Sequence, residues 1–288
     1  MAEAQEPVAS PVPLDAEAQA RVVATIRERI ASGRAELPPL PSIALEVSQL
    51  ARGEDVDVAK VTSVANRDPA LAGQILRVAN SPLWSPREPI VSLQQAVARM
   101  GAAAVANVAF LVAAKGAGFQ AGLKPEEAAA EWRHALLTGC FAKEIARMRR
   151  AGVESAFLCG LLHDIGRPIF LREWATAAPA GAPPPPLGDG EDVQLHVEAG
   201  VALVRAWGLP ETFVDAVGGH HADGFAGRDG AATVNLADRM ALAALSDGFA
   251  AKQFVGDQAA LALNLYPDDV AAVWDRRERL MQTAAALR

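Results

Sequence analysis

The sequence predicts an all-α protein, and three observations carry that expectation. Alanine dominates a chain whose aromatic residues amount to only 5%, a composition that favours helices over strands. No segment alternates apolar and polar residues over a strand's length. Apolar residues recur instead at helical spacing, between cap residues, prolines and glycines that mark starts and stops.

The elements follow in order. Residues 1–14 (MAEAQEPVASPVPL) are Pro/Ala-rich and aperiodic, and read as a disordered tail. From Asp15 to about Gly33 (15–33) the pattern is helical, with Val22, Ile26 and Ile30 on one stripe. ELPPLPS (36–42) breaks the chain, Ile43, Val47 and Leu50 restart a helical face, and RGEDVD (52–57) ends it. In NRDPALAGQILRVANSPLW (66–84), Asp68 caps a helix and Pro69 takes its first position, where the missing N–H costs nothing. Leu71, Ile75, Leu76 and Ala79 form its buried stripe; Trp84 beyond it reads as core, or else as an exposed aromatic anchor. Ser92 and Gln95 form a capping box for a helix ended by Gly101, and an Ala/Val helix follows to about Lys115. GAGFQAGLKP (116–125) separates two halves. Beyond it the pattern predicts helices at about 126–150, 153–172, 193–207, 210–219, 230–248 and 268–287, with a Pro/Gly-rich loop at 175–192.

Length and charge exclude some functions. The 288 residues suffice for one large domain or two modest ones. No apolar segment approaches the roughly 18 residues of a membrane span, and the N-terminus lacks a signal-peptide pattern, so a cytoplasmic protein without membrane contact is expected. A net charge of −7 without a Lys/Arg run disfavours nucleic-acid binding. Cys140 and Cys159 lack CxxC spacing and read as small core residues.

The chemistry gathers in the second half. All five histidines, His134, His163, His196, His220 and His221, lie there, with Asp164 and Asp238 among them. Each histidine is expected near a helix end. Singly, each has an ordinary explanation: a satisfied histidine, a helix-surface carboxylate, a ring at a helix C-terminus. Together they form one ordered series of imidazoles and carboxylates, the donor set of Mn, Fe, Zn or Ni. Adjacent side chains diverge by about 100° on a helix, so His163 and Asp164 converge only on ions at the end of a bundle, with Asp164 shared between two. His134, His163, Asp164 and Asp238 would then hold one ion, and His196, His220 and His221 would complete the sphere of a second. Two such ions would activate a bridging water for attack on phosphate. Arg167, one turn after His163, is placed to grip a phosphate oxygen.

The order His134, His163-Asp164, His196, His220-His221, Asp238 resembles the HD superfamily of metal-dependent phosphohydrolases, and in its length the HD-GYP branch that hydrolyses cyclic dinucleotides. The first half narrows this. LPPLPSIALEV, DPALAGQILRVANS and SLQQAVARMG resemble the HDOD domain, the HD-related output domain of bacterial signalling proteins, and HDIGRPIFL, HVEAGVALVRAWGLPETFVDAVGGHH and NLADRM continue the likeness. It spans about residues 34–248. It implies an N-terminal helical half (34–117) packed on an HD-like half (118–248), with 249–288 as a helical extension. It implies metal ligation by His134, His163, Asp164 and Asp238, and matches His196, His220 and His221 to further ligands of the HD-GYP branch. Three departures matter. ADGFAGRDG follows His221 with no Gly-Tyr-Pro, Arg167 replaces a lysine, and Asp238 follows His221 more closely than in that branch.

HDOD domains usually regulate or bind rather than catalyse. The expectation is therefore a signalling module that binds a protein partner or a nucleotide, retains one or two divalent ions, and leans away from enzymatic activity. The alternative is a metal-dependent phosphohydrolase or phosphodiesterase acting on a nucleotide or cyclic dinucleotide, with Asp164 and Arg167 catalytic. The sequence is silent on oligomeric state.

Overall fold

A computed structural model describes residues 14–51, 57–81, 84, 86, 88–116, 124–185, 191–246 and 250–287. Most of the tail at 1–14, the middle of the segment at 116–125 and residues 186–190 of the Pro-rich loop lie outside these. Among the described residues there is no strand, as the periodicity requires. The helices are α1 (Ala16–Ala31), α2 (Ser42–Ala51), α3 (Val58–Ala65), α4 (Pro69–Ala79), α5 (Leu93–Met100), α6 (Ala102–Gly116), α7 (Pro125–Arg149) and α8 (Val153–Leu162). They continue as α9 (Gly166–Ala177), α10 (Glu191–Ala206), α11 (Glu211–Gly219), α12 (Asp229–Ala244), α13 (Gln258–Ala262), α14 (Pro267–Trp274) and α15 (Arg277–Ala286), with a 3₁₀ turn at Ala251–Phe254.

Cap chemistry sets the early boundaries. The Asp68 carboxylate accepts from the N–H groups of Ala70 and Leu71, and Pro69 opens α4. The Ser92 hydroxyl accepts from the Gln95 N–H, and Gly101 at φ 80° ends α5. One helix is added and three expectations need correction. Residues 57–65 contain α3, capped by Asp57. The helix expected over 153–172 is two, because continuing α8 would drive the Pro168 ring against the Asp164 carbonyl; the chain turns at 163–165 instead. The helix expected over 268–287 is also two, α14 and α15. Finally, α9 runs to Ala177 and α10 starts at Glu191, so the Pro-rich loop is shorter than 175–192, and Ala182 folds back to accept from Trp174 Nε1 at 3.2 Å.

Helices α2–α6 pack among themselves, and α6 packs on α8 of the second set, where α7 contacts α8 and α12, and α10 contacts α9 and α11. The extension returns to the same body through α14 and α15 on α7. On α4 the core positions are Leu71, Ile75, Val78 and Ala79, with Leu76 only partly buried. Trp84 is half-buried against the core. Cys140 and Cys159 are free and buried, and burial pushes both thiols up to about 12. No single described helix is long and apolar enough to cross a membrane.

The first helix crosses over: α1 makes its main contacts with α9 and α10. Val22, Val23 and Ile26 form a second small core there with Phe170, Leu171, Trp174 and Leu195. The buried Glu173 carboxylate anchors the crossing by accepting from Arg29 Nε at 2.5 Å and from the Glu36 N–H at 3.0 Å. Ile26→Ala is expected to weaken this docking by about 2–5 kcal/mol. Hydrogen exchange should show lost protection in α1 while α7 keeps its own; unchanged exchange in α1 would contradict it.

Candidate metal centre

Two close helix crossings bring the histidines together. Where α7 meets α8 there is no room for side chains: a Cβ on Gly139 would lie 2.7 Å from the Phe157 carbonyl oxygen, and one on Gly160 would lie 2.8 Å from Gly139 Cα. This backbone contact sets His134, inside α7, against His163 at the end of α8, with ring centroids 5.3 Å apart. The second crossing is tighter. A Cβ on Gly166 would lie 1.8 Å from the His196 carbonyl oxygen and 2.5 Å from the Gly200 nitrogen. Only glycine lets α10 approach the start of α9 and bring His196 to Asp164. Asn235 Nδ2 donates to the His220 carbonyl at 2.7 Å, fixing the turn that carries His220 and His221.

Histidine placement corrects one expectation: His134 and His196 lie within helices, while His163 and His220 lie at helix ends. All seven candidates nevertheless converge. Asp164 Oδ2 lies 3.3 Å from His163 Nε2, while Asp164 Oδ1 lies 3.2 Å from His196 Nε2 and 3.5 Å from His220 Nε2. Asp238 Oδ1 lies 2.9 Å from His134 Nε2 and 3.6 Å from His163 Nε2. His221, more exposed, lies against His220 with centroids 4.1 Å apart and the rings tilted by 45°. Two sets have donor atoms within 4.8 Å of one another: His134, His163 and Asp164, and Asp164, His196, His220 and His221. Asp164 belongs to both.

The tautomers favour a cation. His163 Nδ1 lies 2.8 Å from the Gly160 carbonyl, and His220 Nδ1 lies 2.8 Å from the Val217 carbonyl. A carbonyl only accepts, so each Nδ1 carries a proton, and in the neutral ring each Nε2 offers a lone pair to a cation held beside the carboxylates. His134 and His163 Nε2 atoms lie 3.4 Å apart, as do those of His196 and His220 at 3.5 Å. Facing lone pairs at this range repel unless a proton or a metal ion lies among them. Five imidazoles and two carboxylates, all buried except His221, thus fit divalent ions by their donor chemistry.

Without a metal, protons balance the carboxylates. Burial disfavours charge on His163, but Asp164 and Asp238 outweigh it and raise its pKa well above 6.5. Burial likewise pushes Asp164 up, and His163, His196 and His220 overcome it to hold the carboxyl well below its ordinary range. Asp238 is lowered too, its bonds to His134 and His163 outweighing burial. Burial lowers His220, and burial with the neighbouring His220 and His196 rings lowers His221 to about 4. At neutral pH His163 therefore holds a proton that a metal must displace. Metal uptake at pH 7 is expected to release protons, and affinity to rise with pH until the raised pKa of His163 is passed. Calorimetry in buffers of different ionisation enthalpy reads the proton count; zero release would contradict this protonation pattern.

Arg167 lines the cleft and already holds two carboxylates. Its Nη1 donates to Glu131 Oε2 at 2.9 Å and to Asp164 Oδ2 at 3.2 Å, so it braces Asp164. Glu131, Asn235 and Arg133 were missed as site residues. The local signal for two of them is a helical step: Glu131 lies three residues before His134 and Asn235 three before Asp238. The cluster floors a cleft of about 1040 Å³, at the upper end of ligand sites. Its charged lining is Glu131, Asp164, Glu198, Asp223 and Asp238 against Arg133 and Arg167.

The family model of the HDOD domain matches residues 37–223. The chain belongs to the HDOD family. An uncharacterized protein of Treponema pallidum (strain Nichols) is 28% identical over 211 residues, which cover 70% of this chain and 40% of that protein. The match thus spans well under half of the relative's length. Among solved structures, an HDOD domain protein of unknown function from Geobacter sulfurreducens is 21% identical with a TM-score of 0.68, covering 93% of this chain and 98% of its own. A Shewanella amazonensis SB2B protein provisionally named a metal-dependent phosphohydrolase is 17% identical with a TM-score of 0.66, covering 94% and 100%. At these identities the likeness is one of fold, and this chain has the HDOD fold.

Proposed function

We propose that this HDOD protein is a signalling module whose HD-like half binds one or two divalent ions and, with them, a phosphate-bearing ligand of the nucleotide or cyclic dinucleotide class. The observation that supports it is the division of Asp164, whose two oxygens face different histidine sets at the floor of an open cleft. Divalent ions there would supply positive charge and Lewis acidity toward phosphate oxygens. They are needed because carboxylates outnumber guanidiniums in the lining and Arg167 is committed to two of them. An anionic ligand would meet repulsion in the metal-free cleft. Arg133 lines the cleft with no ion pair among the described residues and is left to face phosphate. A protein partner reading the liganded state completes the module.

Hydrolysis is the second reading, favoured by the opening of Asp164 and Asp238 to the cleft, which gives water and a phosphodiester access. The test begins with metal content by plasma mass spectrometry, wild type beside His163→Ala, in protein purified without an affinity metal. Bound metal in wild type and its loss in the variant support the centre. The loaded protein is then titrated with nucleotides and cyclic dinucleotides, and bis(p-nitrophenyl) phosphate serves as a turnover probe. Saturable metal-dependent binding without turnover supports the module, and turnover supports the hydrolase. Wild type that stays empty after anaerobic reconstitution with Fe and Mn removes both.

A further inference from the structure

Helix α1 ends before residue 37, where the match to the family model begins, yet it reaches the ligand cleft. One turn of α10 explains how. Leu195 lies in the small core under α1, His196 faces Asp164, and Glu198 both lines the cleft and meets Arg27 of α1. Arg27 Nε donates to both Glu198 oxygens at 3.2 Å. The other cleft carboxylates named above are balanced differently. Arg167, itself in the lining, serves Glu131 and Asp164, and histidines face Asp164 and Asp238. The counter-charge of Glu198 comes from outside the lining, and it stays only while α1 is docked.

We propose that α1 is a strap that sets the phosphate affinity of the cleft, with Arg27 acting through Glu198. The inference rests on the reading of the cleft as a site for a phosphate-bearing ligand. With α1 docked, Arg27 neutralises Glu198. With α1 released, Glu198 adds an uncompensated negative charge to a lining where carboxylates already outnumber guanidiniums, and an anion binds less well. The fold makes release affordable on its own: α1 buries Val22, Val23 and Ile26 and little else, so undocking costs less than unfolding the body. Linkage is reciprocal, so a ligand bound in the cleft tightens α1 in turn. Arg27 and Glu198 are each more than a third exposed, so solvent screens the pair and the effect is modest.

The test uses the full chain loaded with Mn(II) and titrated with inorganic phosphate by calorimetry at low ionic strength, with metal content measured on every sample. Arg27→Gln is expected to weaken phosphate binding about two- to fivefold, and about 0.5 M sodium chloride to shrink that difference. Adding Glu198→Gln to Arg27→Gln is expected to restore wild-type affinity or exceed it, which a merely structural role of Arg27 would not allow. In wild type, phosphate is expected to raise hydrogen-exchange protection in α1. Wild-type affinity in Arg27→Gln, a loss that Glu198→Gln fails to restore, or α1 protection unmoved by phosphate would each overturn the strap and leave the cleft reading standing. Wild type that takes up no Mn(II), or that binds no phosphate once loaded, would overturn both.

Discussion

Gly166→Ala is expected to lower stability by about 3 kcal/mol, the upper end of ordinary overpacking, and to weaken metal binding by the His196 set. The added methyl would meet the His196 carbonyl oxygen at 1.8 Å and the Gly200 nitrogen at 2.5 Å. Both are backbone atoms, so no rotamer relieves the collision and the two helices must separate. Gly200 has no slack to give, because a Cβ on Gly200 would lie 2.8 Å from Val217 Cγ1 on α11. Separation carries His196 Nε2 away from Asp164 Oδ1, now 3.2 Å distant. Gly73→Ala is the control. That glycine is exposed within α4 with nothing within 4 Å of its added Cβ, so alanine there is expected to add roughly 0.5–1 kcal/mol. Denaturant midpoints read both, and a pair that moves alike would refute the close-approach argument.

Gly166 also marks how far the sequence alone reaches. The HDIG string is visible in one dimension, but the reason for its glycine is a carbonyl thirty residues later, exposed only by the α9–α10 crossing. The donor series was legible because imidazole and carboxylate are chemically distinctive wherever the fold puts them. Arg167 was legible in position and not in partner, since Glu131 reaches it from α7. Helix α3 escaped because VAKVTSVA is short and rich in β-branched residues, and its formation rests on the Asp57 cap and on packing against α2 and α5. The break between α8 and α9 had a signal in Pro168, masked by the apolar run on either side. The crossing of α1 to the second set had none, because Val22 and Ile26 would suit either core.

Asp164→Asn is expected to empty both metal sets, whereas His134→Ala and His196→Ala each empty one. The asymmetry follows from sharing: His163 faces one carboxylate oxygen of Asp164, and His196 and His220 face the other. An amide keeps the shape, removes the negative charge and turns one of those oxygens into a donor aimed at an imidazole nitrogen. Loss of affinity should exceed the roughly 100-fold ceiling of changes beyond the ligand shell. The same change leaves Arg167 with Glu131 as its remaining carboxylate partner. The fold should survive, because the close contacts at Gly139, Gly160 and Gly166 hold the helices without the carboxylate. Far-ultraviolet circular dichroism and metal content on the same samples separate these effects. If Asp164→Asn and His196→Ala lose the same number of equivalents, Asp164 serves one ion only, and the shared-carboxylate reading of the centre fails while a mononuclear one stands.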